Sequence, residues 1–166
     1  MAKAHGKKEK IRISKVIKWF HKYIPEVEII SVGLGADTND YLHDVHSANK
    51  GAPDLSLRIP NTDTEIISLE VSGTEKMKGQ GYWIRKDKVD YIKDNRHKDV
   101  WIVLHYQVPK EQYVWVKIDS NKSYKTVNIN IKGVIEYFIV LHKNSNDIIS
   151  SSDFKNYILD KVKQLT

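Results

Sequence analysis

The sequence predicts an α/β fold in which a central mixed β-sheet is flanked by helices. Apolar residues recur at helical spacing near both ends of the chain, in Ile11–Ile24 and again after Ser152. Between these ends lie segments whose apolar residues alternate or run continuously, as they do in strands. The resulting order of helix, strand, hairpin, helix, strand and strand is typical of a sheet with helices packed against it.

The composition limits the classes of protein that need to be considered. A chain of 166 residues fits one domain with a substantial core, and 40% hydrophobic with 29% charged residues fits a globular protein. The absence of cysteine excludes a disulfide scaffold and a thiolate zinc site. No apolar run approaches transmembrane length, and none suits a signal peptide. We therefore expect a cytoplasmic protein with no membrane partner.

The charge of the chain favours a polyanionic partner. The formal net charge is +6 and the isoelectric point is near 9.3. Nucleic acid is the commonest partner of such a domain, although abundant Lys, Ile and Asn can also reflect genome composition alone. Residues 1–10 are rich in lysine and are predicted to be a flexible tail before a single domain at 11–166. This tail would contact phosphates without sequence specificity, or only aid solubility.

The first predicted elements lead toward an acidic residue. Ile11–Ile24 forms a helix with an apolar face and a lysine-rich face, and Pro25 ends it. Val27–Val32 is a short strand. The long polar segment Gly33–Gly51 follows and leads directly to Asp54, and long segments of this kind are often functional. We expect it to contact DNA or to close over a nearby site.

The segment from Gly33 to Gly51 also contains candidate metal ligands. His43 and His46 are three residues apart and could share one face of a helix. No third ligand follows at a recognisable spacing, so we do not assign a histidine metal site. Asp37 or Asp40 could instead complete the ligand set of a metal held elsewhere.

Two acids lie on a predicted β-hairpin. Leu55–Ile59 alternates apolar and polar residues, Pro60–Asp63 forms the turn, and Ile66–Val71 is the second strand. Asp54 precedes the first strand, and Glu70 lies within the apolar run of the second. An ionised carboxylate in a buried strand is costly unless it is paired or binds a metal. Acids on adjacent strands can hold a hard cation such as Mg²⁺, which needs few carboxylates and keeps several waters.

Each acid has a simpler explanation when taken alone. Pro53-Asp54 is a common turn pair, and Glu70 could be a strand residue paired with a lysine. The two acids together, with Gly73 directly after them and Lys88 downstream, favour a functional site.

The motifs Pro53-Asp54 and Glu70-Val71-Ser72 resemble those of the PD-(D/E)xK nuclease superfamily. This superfamily includes restriction endonucleases and Holliday-junction resolvases. The resemblance implies a restriction endonuclease-like fold and a metal site formed by the two acids and the carbonyl of Val71. Mg²⁺ would be the cofactor, and Mn²⁺ would substitute for it. The resemblance also implies a homodimer.

The lysine of the superfamily motif is displaced in this sequence. The superfamily carries it two residues after the second acid, where this chain has Ser72. Some members supply the lysine from the following helix, and Trp83–Lys88 resembles that subgroup. The resemblance then implies that Lys88 orients the attacking water or helps to deprotonate it.

Four basic residues are predicted to contact the DNA backbone. The loop Gly73–Gly81 contains three glycines and two lysines and can approach a phosphodiester closely. It lacks the residue order of a nucleotide-binding P-loop. The predicted contacts are Lys50, Lys76, Lys78 and Arg85. RNA remains open as a partner.

The rest of the chain is predicted to supply one more helix, several strands and a terminal helix. Asp87 is expected to cap a helix that runs to about Asn95. The final helix is expected to begin at Ser152 or Asp153. The predicted strands are Val100–Tyr106 at the sheet centre, Tyr113–Ile118, Val127–Ile131 as an edge strand or hairpin arm, and Val134–Leu141, which could be helix or strand and whose β-branched residues favour strand.

Three functional hypotheses follow. The first is a divalent-metal-dependent endonuclease that hydrolyses phosphodiester bonds in DNA, with Asp54, Glu70 and Lys88 as catalytic residues. The second is a catalytically inactive nucleic-acid-binding module on the same fold, which the serine at position 72 favours. The third is an unrelated α/β domain with a basic surface.

Overall fold

The computed structural model describes residues 2–32, 52–73 and 81–166, with side chains described from residue 8 onward. Its helices are α1 (Ala2–Tyr23), α2 (Lys86–Asp94) and α3 (Ser151–Leu165). Its strands are β1 (Glu28–Ser31), β2 (Leu55–Arg58), β3 (Glu65–Ser72), β4 (Gly81–Arg85), β5 (Val100–Tyr106), β6 (Gln112–Val116), β7 (Thr126–Ile131), β8 (Val134–His142) and β9 (Ile148–Ile149).

A six-stranded mixed sheet forms the centre of the molecule. Its strand order is β1-β2-β3-β5-β6-β9, and β3 and β5 run parallel while the other neighbours are antiparallel. A second, antiparallel sheet has the order β4-β8-β7. The predicted α/β fold, a central mixed sheet flanked by helices, is confirmed.

The two faces of the central sheet carry separate hydrophobic cores. Helices α1 and α3 cover one face, where Phe20, Trp115 and Phe154 are fully buried. The rings of Trp115 and Phe154 stack with their centroids 4.0 Å apart. Val89 and Ile92 of α2 pack with the second sheet over the other face. Because alternate residues of β5 enter opposite cores, its continuous apolar run is explained, and the predicted central strand is confirmed.

The hairpin formed by β2 and β3 confirms the predicted turn. Asn61 adopts φ 63°, a left-handed conformation that asparagine tolerates. The hydroxyl of Thr62 donates a 2.8 Å hydrogen bond to the carbonyl of Ile59 and closes the turn. Leu55 then lies opposite Leu69. This register brings the start of β2 and the end of β3 to the same edge of the sheet.

The second sheet was only partly predicted. β4 is only five residues long, which is too short for a clear strand pattern in the sequence. β8 is a strand of nine residues, which settles the open choice between helix and strand for Val134–Leu141. It pairs with β7, as expected of a hairpin arm.

Both predicted helix caps differ from the structure. Ser150 caps α3 in place of Ser152 or Asp153, and its hydroxyl accepts a 3.0 Å hydrogen bond from the backbone N–H of Asp153. The N-cap position of α2 is Arg85, which makes no capping hydrogen bond, so the expected cap at Asp87 is wrong. Asp87 lies in the first turn, where its charge favours the helix dipole.

The lysine-rich segment predicted as a tail at residues 1–10 is helical from Ala2 onward. Ala, Lys and Glu are strong helix formers, so α1 continues on the N-terminal side of its buried face, which begins at Ile13. Among the described segments, no helix is both long enough and apolar enough to cross a bilayer.

Candidate active site

The backbone around Asp54 anchors this residue between two strands. Its N–H donates to the carbonyl of Leu69 at 3.2 Å, and its carbonyl accepts from the N–H of Val32 at 2.8 Å. Its Oδ2 accepts a 3.0 Å hydrogen bond from the N–H of Val71. The residue is only 8% exposed. These contacts fix the Asp54 carboxylate beside the end of β3.

Glu70 lies on β3 opposite Ile102 of the parallel strand β5. Its strand neighbours Leu69 and Val71 belong to the core beneath α1, so Glu70 points to the other face, toward α2. It is 5% exposed. The hairpin register and the alternation of β3 therefore bring two buried acids together, as the sequence predicted.

Lys88 reaches Glu70 from the first turn of α2. Its Nζ lies 2.6 Å from Oε1 of Glu70, and the Lys88 side chain is 15% exposed. The helix begins immediately after β4, which places this turn over the end of β3. The structure thus puts an ammonium group beside the second acid although Ser72 occupies the motif position on the strand.

The two carboxyl groups carry more negative charge than their surroundings neutralise. Burial raises the pKa of Asp54 to about 6, against the lowering effects of the Val71 N–H and the Lys88 charge. Burial also raises the pKa of Glu70 well above its usual value, with Lys88 opposing and Asp54 reinforcing the shift. Burial alone would lower the pKa of Lys88, but its contacts with Glu70 outweigh this and raise it. Lys88 therefore stays protonated, and the acids favour an additional cation.

The oxygen atoms of this cluster suit a hard divalent ion. Oε2 of Glu70 is buried and accepts no hydrogen bond from any donor in the described part of the chain. Asp54 lies close enough for its charge to raise the pKa of Glu70. The described residues contain no group of three or more His, Cys, Asp or Glu arranged around one point. Two carboxylates are nevertheless enough for Mg²⁺, which binds proteins through one or two carboxylates and retains waters.

A cleft of about 590 Å³ lies beside the two acids, and Val71, Ser72 and Lys88 next to them line it. Helix α1 forms one wall, and the ends of β3 and β4 with the start of α2 form the other. The lining residues are Lys8, Glu9, Ile11, Arg12, Val71, Ser72, Gly73, Arg85, Lys88 and Gln107.

Two residues of α1 in this cleft were not assigned from the sequence. Glu9 contributes to raising the pKa of both Asp54 and Glu70, so its charge is felt at the acids. The sequence showed Glu9 only as an acid near the start of a helix, and its direction depends on how α1 packs on β3. Arg12 lies three residues later, one turn along the same helix. A helical projection starting at Ala2 would have placed the two on one face.

Gly73 allows β3 to leave the sheet at the edge of the cleft. Its φ is 117°, and a Cβ atom built there would lie 2.3 Å from the carbonyl oxygen of His105. Both features exclude any other residue without a shift of β5. The glycine after the second acid, noted in the sequence, is thus required by close packing of two backbones.

The predicted DNA-contacting residues divide into two groups. Arg85 lines the cleft, where its Nη2 lies 3.5 Å from carboxylate oxygens of both Asp87 and Glu136. The remaining candidates lie outside the described residues, and so do the acids and histidines of the long polar segment. They are Lys50, Lys76 and Lys78, with Asp37, Asp40, His43 and His46.

Comparisons with known proteins give a structural similarity only. No protein-family model matches the chain, and no curated protein matches it. Among solved structures, the chain is similar to the 1.6 Å structure of Hjc from Archaeoglobus fulgidus, a Holliday junction resolvase from an archaeal hyperthermophile. The TM-score is 0.49 and the sequence identity is 10%, and the alignment covers 90% of this chain and 96% of that chain.

Proposed function

We propose that this protein is a Mg²⁺-dependent endonuclease of the PD-(D/E)xK type that hydrolyses phosphodiester bonds in DNA. The observation that carries the proposal is the buried pair Asp54 and Glu70, with the Lys88 ammonium 2.6 Å from Glu70 and lining the adjacent cleft. The net charge of +6 supports a nucleic acid as the substrate.

Asp54, Glu70 and the carbonyl of Val71 are the groups that would hold the metal. When bound, Mg²⁺ lowers the pKa of water and stabilises negative charge on the phosphate and leaving oxygen. The folded chain holds these ligand groups in fixed positions. The hydrogen bond from the Val71 N–H orients Asp54, and the parallel pairing of β3 with β5 orients Glu70.

We propose that the Lys88 ammonium acts as a hydrogen-bond donor and not as a general base. Its raised pKa keeps the ammonium charged at neutral pH. It can therefore orient a water molecule next to Glu70 and offset charge on the phosphate. This narrows the sequence-based hypothesis, in which Lys88 either oriented the water or helped to deprotonate it.

A binding module that has lost activity is the second candidate. Ser72 favours it, because the lysine of the strand motif is missing from its usual place. The Lys88–Glu70 contact argues against it, since the missing charge is supplied from α2. The substrate structure, a role for RNA and the predicted homodimer are left to experiment.

Cleavage assays with labelled duplex, nicked, branched and single-stranded DNA test the proposal. Each is run with Mg²⁺, Mn²⁺ or EDTA. We expect cleavage with either metal and none with EDTA. Asp54→Asn and Glu70→Gln should each abolish cleavage and retain DNA binding, because each removes a metal-binding charge with little change in shape.

Asp63→Asn is the matched control, since it removes an exposed acid from the turn of the same hairpin. It should cut at the wild-type rate. Binding without cleavage by the wild type under every condition would favour the inactive module. Wild-type cleavage by Asp54→Asn at saturating Mg²⁺ would refute the proposed site.

A further inference from the structure

Arg12 has a feature that the proposed metal site does not explain. The residue is half-buried in the wall that α1 contributes to the cleft. Its Nε is inaccessible to solvent and has no hydrogen-bond partner within the described residues. Arg12 also forms no ion pair with a carboxylate among these residues, although Glu9 lies one turn away on the same helix.

Such an arrangement is unfavourable in the free protein. A buried donor without a partner carries a desolvation cost of about 1–3 kcal/mol, and more when the group is charged. Burial lowers the pKa of Arg12, with Glu9 opposing the shift, yet a guanidinium group remains charged at neutral pH. A charged fork is thus held in a cleft with one donor unused.

Neighbouring charges indicate which kind of ligand the Arg12 guanidinium group binds. Lys8 lines the cleft one turn before Arg12, and Arg85 lines the opposite wall. Lys8 and Arg12 place positive charge on the α1 wall of the cleft, and Arg85, which pairs with Asp87 and Glu136, lies on the other wall. Positive charge in a cleft favours a polyanionic ligand. A guanidinium group matches the oxygens of a phosphate with two parallel hydrogen bonds, which a lysine cannot do.

We propose that Arg12 binds a phosphate of the strand to be cut and so positions that strand against Asp54 and Glu70. The inference rests on the proposed nuclease function, since it assigns a substrate contact in the same cleft. It makes Arg12 a phosphate-binding residue and not a metal ligand. It also gives α1 a role in substrate recognition beyond covering the core.

A chemical double-mutant cycle tests the inference through binding alone. A labelled DNA that the wild type binds carries one neutral methylphosphonate, which is moved along one strand position by position. The dissociation constants of wild type and Arg12→Gln are measured with Ca²⁺ in place of Mg²⁺. We expect Arg12→Gln to weaken binding about tenfold to a hundredfold on unmodified DNA.

At one position, the methylphosphonate should weaken DNA binding by the wild type by a similar factor. At that same position it should not weaken DNA binding by Arg12→Gln any further. Lys18→Gln is the matched control, because it removes one exposed positive charge from the same helix outside the cleft. The loss of affinity that Lys18→Gln causes should be the same at every methylphosphonate position. Arg12→Lys should recover only part of the loss.

Thermal unfolding of the Arg12→Gln variant distinguishes a phosphate-binding role of Arg12 from a structural role. Because the Nε lacks a partner, Arg12→Gln should leave the unfolding temperature unchanged or raise it. A lower unfolding temperature together with equal losses at all methylphosphonate positions would overturn the inference. The binding cycle can succeed even when no substrate is cut, so failure of the nuclease proposal remains distinguishable.

Discussion

Two clusters of buried charge lie at opposite ends of the parallel pair β3–β5, and they are built in opposite ways. Asp99, just before β5, accepts hydrogen bonds from four side chains. Nζ of Lys117 and Nζ of Lys161 lie 2.5 and 2.7 Å from it, Nε1 of Trp101 lies at 3.0 Å, and the hydroxyl of Tyr157 also donates. Burial alone would raise the pKa of Asp99, but these donors lower it.

At the other end, Asp54 and Glu70 share the ammonium of Lys88, and their pKa values are raised. The Asp99 cluster ties α3 to β5 and β6, and the folded chain supplies the Asp99 carboxylate with four donors. The other cluster has two acids and one lysine, and Lys88 lines the adjacent cleft. The contrast distinguishes charged groups that stabilise the fold from charged groups that are available to bind a ligand.

The largest expected effect separates the lysines of the two clusters. Lys88→Ala should reduce single-turnover cleavage about a hundredfold, because the site loses its positive charge beside the substrate phosphate. Lys161→Ala should cut nearly normally and unfold at a lower temperature, because it leaves Asp99 with one donor fewer. Cleavage rates and thermal unfolding of both variants provide the comparison.

Lys86→Ala is the control for Lys88→Ala, since Lys86 is an exposed residue of the same helix turn that pairs with Asp90. The double variant Ser72→Lys with Lys88→Ala should recover part of the activity. A lysine at position 72 would point to the same face as Glu70. Normal cleavage by Lys88→Ala would show that Lys88 only neutralises Glu70.

A smaller effect is expected on the free energy of unfolding, and its sign should be opposite for substitutions in the two clusters. Without metal at pH 7, Asp54→Asn should stabilise the protein by up to about 3 kcal/mol, because it removes a carboxylate whose pKa the fold raises. Asp99→Asn should destabilise it by about 2 kcal/mol, because it weakens several charge-assisted hydrogen bonds. Urea unfolding in EDTA measures both. Stability changes of the same sign for Asp54→Asn and Asp99→Asn would mean that the two clusters affect the stability of the fold in the same way.

The smallest effect concerns pH. The raised pKa of Asp54 contributes stability below its usual pKa of 3.8, and this is lost as pH rises through about 6. The advantage of Asp54→Asn in EDTA should therefore be absent below pH 4 and reach its full size above pH 6. The lowered pKa of Asp99 works in reverse, and its stabilisation is lost as the solution is acidified.

The same protonation should oppose metal binding. Mg²⁺ and protons compete for Asp54 and Glu70, so the Mg²⁺ concentration needed for half-maximal cleavage should fall as pH rises through about 6. Wild-type titrations between pH 5 and pH 8 measure this. A requirement that stays constant across this range would place the metal away from these acids.

The sequence predicted those parts of the site that depend on local patterns. Alternation and the turn at Asn61 located Asp54 and Glu70 on adjacent strands, and helical spacing placed Lys88 near the start of α2. The contributions of Glu9 and Arg12 could not be predicted in this way. They depend on how α1 packs on the sheet, and this involves contacts of Phe20 with Trp115 and Phe154, which lie 95 and 134 residues away in the sequence.

The charge network around Asp99 was missed for a similar reason. Its partners Lys117 and Lys161 lie 18 and 62 residues away in the sequence, and no local spacing connects them. β4 was missed because a five-residue strand has too little periodicity to detect. The predicted helix caps were wrong by two or three residues, since local residue preferences do not fix the exact end of a helix.

The parallel pairing of β3 with β5 has a consequence for the order in which the chain folds. Asp54 and Glu70 approach each other through a short hairpin, whose closure has a low entropic cost. Lys88 is positioned only when the longer crossover through β4 and α2 docks and β5 joins the sheet. We therefore expect the two acids to be neighbours early in folding, before their lysine arrives. During that interval Lys88 does not neutralise them, so we expect Mg²⁺ in the solution to speed the later folding steps by reducing the repulsion between the two acids.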